Sequence, residues 1–165
     1  MEERPKLKIP LKPFDKIVEA LGWAALIGIW ILTLSNYTEL PQTIPTHFDG
    51  SGQADGYGSK MNLLALPLIS SVIFIVLTAL SFFPHLHNYP AGITQENAEK
   101  QYQTSTRMFR FLKLIILIIF GLIVYMTLKT INGTADGLGT WFLPLVLGLI
   151  FIPIFYFLTQ MVKNS

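Results

Sequence analysis

No cysteine occurs in the 165 residues. That excludes a disulfide framework, a thiolate metal site and a cysteine nucleophile. Charge is scarce as well: Asp, Glu, Lys and Arg make up 13% of the chain, against about 25% in an average soluble domain. A formal net charge of +2 is too small to hold a nucleic-acid backbone, so no nucleic-acid partner is expected. The sequence has no Gly-rich phosphate loop ahead of a Lys-Ser or Lys-Thr pair, no Ser-His-Asp set and no paired catalytic carboxylates. These absences argue against an enzyme, and no cofactor is expected. Ionisable side chains are also missing from the middle of every long apolar run, where they are costly and usually functional. Glu19, Arg110, Lys113 and Lys129 fall near the ends of those runs. The pattern argues against a proton pump or a charge-coupled transporter.

What is present is hydrocarbon, in blocks. A bilayer core needs about 20 apolar residues per helix. Four segments reach that length: Ile17–Tyr37, Lys60–Phe83, Phe109–Ile131 and Leu138–Met161. Backbone in lipid must satisfy its own hydrogen bonds, so these are helices. The expected fold class is an all-α integral membrane protein of four transmembrane helices with a small extracellular cap between helices 1 and 2. The basic start followed by an apolar run has the outline of a signal peptide. The run Ala20–Leu34 is too long and bulky for one, and no small-residue cleavage site follows it. A retained first helix is therefore expected.

Ten of the twelve basic residues fall on one side of this layout: Arg4, Lys6, Lys8, Lys12, Lys16, Lys100, Arg107, Arg110, Lys113 and Lys163. Only Lys60 and Lys129 fall on the other. The positive-inside rule then puts both termini in the cytoplasm. The domain layout is a basic cytoplasmic tail (1–16), helix 1 with the following loop and helix 2 (17–83), a cytoplasmic loop (84–108) and helices 3 and 4 (109–162). Tyr37, Tyr57, Tyr125 and Trp141 mark the outer boundary, and Phe82, Phe83, Phe109, Phe111 and Tyr156 the inner one. Pro144 and Pro153 predict bends in the fourth helix. Ala24 and Gly28 are spaced for close helix contact. Thr94 is placed to cap a cytoplasmic extension of the third helix.

The one long polar segment between apolar runs is ELPQTIPTHFDGSGQADGYGSKMN, residues 39–62. Pro41 and Pro45 favour a stiff extended strip. The glycines and Asp-Gly pairs that follow favour reversals, so the expected shape is a hairpin-like cap. Ser59 is placed to cap the second helix. His47, Asp49 and Asp55 include metal-ligand types, but a calcium loop would need glycine at Ala54 and glutamate at Lys60, so no metal is expected. Two readings of these polar residues stay open. In one the aspartates make turns, His47 bonds the loop backbone and Lys60 anchors to headgroups. In the other, His47, Asp49, Asp55, Tyr57 and Lys60 bind a ligand, with Pro41, Pro45, Gly52, Gly56, Gly58 and Ser59 shaping the loop. His85 and His87 form an H-x-H on the opposite side, read as interfacial.

The series Leu40-Pro41, Ile44-Pro45, His47-Phe48, Gly52 and Asp55-Gly56-Tyr57-Gly58-Ser59-Lys60 resembles the N-terminal domain of the SdpI immunity-protein family of Gram-positive bacteria. The resemblance covers about the first half of the chain. It implies a multi-pass protein of the bacterial cell membrane. It further implies toxin immunity or sensing through the extracellular loop. The type member protects its producer from a secreted peptide toxin and holds a transcriptional repressor at the membrane. The partners implied are the lipid bilayer, a secreted peptide toxin and a cytoplasmic regulator. Family members carry a further helical domain that has no counterpart in these four helices. A structural or scaffold protein of the membrane and an uncoupled transporter component are the alternatives.

Overall fold

The computed structural model describes residues 4–164. Helix α1 spans Pro13–Tyr37 and leads into a two-stranded hairpin, β1 (Thr43–Phe48) and β2 (Ala54–Ser59). A 3-10 turn, Lys60–Leu64, enters α2 (Ala65–Leu80); α3 (Ala98–Ile131) and α4 (Phe142–Lys163) follow. Among the described residues, four helical segments are long and apolar enough to cross a membrane. The protein is therefore a multi-pass membrane protein, with its small sheet between the first two spans.

The helix limits differ from the hydropathy limits for local reasons. Helix α1 starts at Pro13 rather than Ile17, because proline suits a first helical position and the Asp15 carboxylate accepts the Lys12 backbone N–H at 3.0 Å. Helix α3 starts at Ala98 rather than Phe109. Thr94 and Asn97 exchange backbone-to-side-chain hydrogen bonds of 2.9 and 3.3 Å, which set up that start. Helix α4 begins at Phe142 rather than Leu138, because Gly137 and Gly139 both take positive φ and hold the preceding residues in a turn. Pro144 consequently falls in the first turn of α4, where no intrahelical donor is lost, so the bend predicted there has no cause. Pro153 does lie inside the helix.

Helix α3 is the central post: α1, α2 and α4 all pack on it. The core joins Leu26 and Ile29 of α1, Phe74 of α2 and Leu117, Val124 and Leu128 of α3 to Leu40, Ile44 and Leu63 near the cap. Outward faces are large and apolar, such as Trp23, Ile27 and Ile31 on α1 and Phe151, Ile152 and Phe155 on α4. That is the polarity expected where hydrocarbon is the solvent. Ala24 and Gly28 face outward, and a Cβ on Gly28 would meet nothing within 4 Å. The close helix approach occurs instead at Gly22, where a Cβ would lie 3.2 Å from the Phe74 ring.

The edge charges of α1 and α3 turn inward on each other. Arg107 Nε donates to Asp15 at 2.8 Å, and the Arg110 guanidinium lies 3.4 Å from Glu19. Lys113 Nζ donates to Glu19 at 2.7 Å and to Thr78 Oγ1 at 2.8 Å, and sits 4.3 Å over the Phe74 ring. Asp15 is 2% and Lys113 1% exposed. Removing one partner of a buried pair leaves an uncompensated charge, which costs about 3–5 kcal/mol. Glu19→Gln should therefore lower the melting temperature in detergent sharply, and Glu19→Gln with Lys113→Met should recover much of the loss. Equal melting of Glu19→Gln and the parent would show that the ladder does not hold α1 to α3.

Candidate functional site

The hairpin pairs antiparallel, Thr43 with Ser59, Ile44 with Gly58, Pro45 with Tyr57, His47 with Gly56 and Phe48 with Ala54. The register slips on both sides of His47, and such irregularities re-aim a side chain. Gly56 is needed for close approach: a Cβ there would lie 2.9 Å from the His47 Cβ. Neither Gly56 nor Gly58 has positive φ. Gly52 does, at 81°, and its carbonyl accepts from the Leu138 backbone N–H at 2.7 Å. A Cβ on Gly52 would come within 2.5 Å of the Gly139 backbone. The cap tip is thus fastened backbone-to-backbone onto the α3–α4 turn.

Several polar residues of the segment hold this shape. Asp49 Oδ1 accepts from Ser51 N, Ser51 Oγ and Gln53 N at 2.8, 2.7 and 3.0 Å. The Ser51 hydroxyl first, and the Gln53 N–H next, hold its carboxyl below the usual carboxylate range. Lys60 Nζ donates to the carbonyls of Tyr37 and Leu40 at 3.4 and 3.3 Å and lies over the Tyr37 ring. A cation there meets the carbonyl end of α1, where the helix dipole favours it. Ser59 Oγ accepts from Met61 N at 3.3 Å. Ile44 and Pro45 are buried and Pro41 is exposed.

His47, Asp55 and Tyr57 remain outward. His47 Nδ1 is hydrogen-bonded to Asp55 Oδ1, with side chains 72% and 47% exposed, and Tyr57 is 65% exposed. The structure brings His47 and Asp55 together and turns Asp49 into its own loop. Beneath β1 lies a cavity of ≈ 270 Å³, walled by Ile44–Phe48 of β1, by Asn62, Leu63 and Leu66, and by Ile123, Thr127 and Leu138. Only the β1 share of this wall was visible as a motif in the sequence. The members on the 3-10 turn, α2 and α3 look like ordinary membrane-helix residues, and their only signal is helical spacing, Leu63 with Leu66 and Ile123 with Thr127.

On the other side, His87 is 6% exposed. Its Nδ1 accepts from Ser105 Oγ at 2.6 Å and its Nε2 donates to the Leu80 carbonyl at 2.9 Å. Burial pushes its pKa down. His85 shares none of these contacts, so the H-x-H pair splits into one buried strut and one neighbour.

Residues 24–70 match the family described as Domain of unknown function (DUF1648). The match runs from mid-α1 through the cap into α2. A protein of Archaeoglobus fulgidus described as "Uncharacterized protein" is 30% identical over 160 residues, covering 90% of this chain and 87% of that one. The chain belongs to the same family as this archaeal protein. No solved structure matches it. The DUF1648 segment thus carries both strands of the cap, whereas the turn that clamps the cap lies outside it, at 137–139.

The clamp is open to a direct check. Positive φ costs a non-glycine residue about 1–2 kcal/mol, before the clash with Gly139. Gly52→Ala should lower the melting temperature clearly. Gly50→Ala, whose Cβ would meet nothing within 4 Å, should leave it unchanged. Matching melts for the two variants would mean that the tip is not held.

Proposed function

We propose that this protein is a small multi-pass protein of the bacterial cell membrane whose outer cap recognises a ligand, in the service of toxin immunity or sensing. One observation carries the reading: a ≈ 270 Å³ cavity opens under the cap beside an outward His47–Asp55 pair, while Asp49, Ser59 and Lys60 are engaged in holding the fold. A rigid loop that leaves polar side chains outward beside a cavity is a common way to build a binding site. The ligand is a secreted peptide or a lipid-like molecule, and a cytoplasmic regulator is the partner for a response. The protein performs no chemistry of its own in this reading. A scaffold role is the second reading, favoured by the backbone clamp between Gly52 and Leu138.

Orientation comes first. Ten of twelve basic residues lie on the side of the termini, so that side faces the cytoplasm. The chain has no native cysteine, which makes single-cysteine labelling clean. Gln53→Cys should react with a membrane-impermeant thiol reagent in intact cells, and Gln95→Cys should not. Both positions are exposed in the structure, and reversed labelling would place the cap in the cytoplasm and sink the reading.

Function is tested by protection. Expressing the parent in a strain sensitive to a secreted membrane-active peptide should raise its survival. His47→Gln and Asp55→Asn should reach the membrane at parental levels and lose that protection, since exposed substitutions usually change stability by less than about 0.5 kcal/mol. Full protection by both variants would remove the cap as the recognition surface and leave it as scaffold.

A further inference from the structure

The chemistry around the cavity narrows the ligand, granted that the cap recognises one. A cavity of about 150 Å³ lined by aliphatic and aromatic side chains takes up benzene. This one, at ≈ 270 Å³, is nearly twice that, the size of a two-ring or about ten-carbon body. Its walls are mostly carbon, from Ile44, Pro45, Phe48, Leu66, Ile123 and Leu138. That volume holds one such body, or a single side chain, rather than a length of peptide chain. The occupant is therefore compact rather than extended.

The charge on this side is acidic. Glu39, Asp49, Asp55 and Asp136 face only Lys60 and Lys129. Both ammonium groups are committed, Lys60 to the carbonyls of Tyr37 and Leu40 and Lys129 to the ring of Tyr125. Asp49 is committed to its turn. Asp55 uses Oδ1 for His47, and its Oδ2 takes no hydrogen bond from the described residues. Asp55 and Tyr57 are two apart on β2, so they project from the same face, and both are exposed. A carboxylate beside an exposed aromatic ring recognises a cation, by charge and by the ring's negative face. His47 joins the two features, since it lines the cavity and touches Asp55.

We propose that the cap binds a small lipophilic cation, its apolar body in the cavity beneath β1 and its positive group at Asp55 and Tyr57. This ligand class rests on the recognition reading above but is narrower than it. Phosphate-bearing lipids and fatty acids are the wrong sign for this rim.

The test uses the full chain in lipid nanodiscs, with 2-naphthylmethyl(trimethyl)ammonium as probe, empty nanodiscs as baseline and 2-naphthylacetate as the anionic control. Equilibrium dialysis should show saturable uptake of the cation above baseline and none of the anion. Asp55→Asn should weaken the cation at least about fivefold, as loss of a charge-assisted contact does. Ile123→Phe, which fills the cavity, should abolish uptake while melting like the parent, and Leu66→Phe takes its place if the first variant melts early. Equal uptake of the anion, no effect of Asp55→Asn, or no excess over empty nanodiscs would each overturn the proposal. So would tight binding of a cationic peptide with no uptake of the naphthyl cation. Protection of cells that is lost in His47→Gln, without naphthyl uptake, would leave the recognition reading standing and remove only this ligand class.

Discussion

Two carboxylates on α1 and three cations on α3 meet inside the bundle, and the rest of the architecture depends on that meeting. Asp15 and Glu19 are four residues apart; Arg107, Arg110 and Lys113 follow at intervals of three. Each set occupies one helix face. Their pairing sets the height and rotation of α1 against the central post. Apolar packing in lipid is weakly directional, because lipid tails are as apolar as leucine. Charges are different: unpaired, they would be expelled toward water. The ladder therefore supplies register that Leu26, Ile29, Leu117 and Val124 alone would leave loose.

With α1 fixed near its N-terminal end, its C-terminal end delivers the cap. Lys60 ties the last carbonyl of α1, at Tyr37, to that of Leu40, Ile44 plugs into the core at 1% exposure, and Gly52 reaches across to the α3–α4 turn. The hairpin is thereby held at both its root and its tip, although two strands alone are marginally stable in water. His47, Asp55 and Tyr57 ride on this frame without being part of its fastening. The outward three are therefore free of the fastening role that Asp49, Ser59 and Lys60 carry.

The spans and the hairpin were legible in the sequence because each rests on local chemistry: length of apolar run, Pro and Gly placement. Ser59 does cap, but it caps the 3-10 turn Lys60–Leu64 rather than α2, which starts after Leu64 with no side-chain cap. The start of α3 at Ala98 was less so, since a polar helix in water has no hydropathy edge. The inward turn of Lys113 was not legible, because a lysine near the end of a span reads equally well as one that snorkels to the headgroups. Within the candidate site, His47 and Asp55 announced themselves by type. Ile123 and Thr127 did not, since a cavity wall on a membrane helix uses the same residues as a lipid-facing one. The contact of Gly52 with Leu138 spans 86 positions, and nothing local to either residue encodes it.

That long-range contact is made by peptide groups, not side chains. A joint of this kind asks little of composition: glycine where the chains touch, and freedom almost everywhere else. The hairpin's outward face can therefore be rewritten while its seat on the bundle stays fixed. Under the proposed recognition role, such a face is a changeable reading head on a constant mount, and a lineage could retune what it detects without redesigning how it folds.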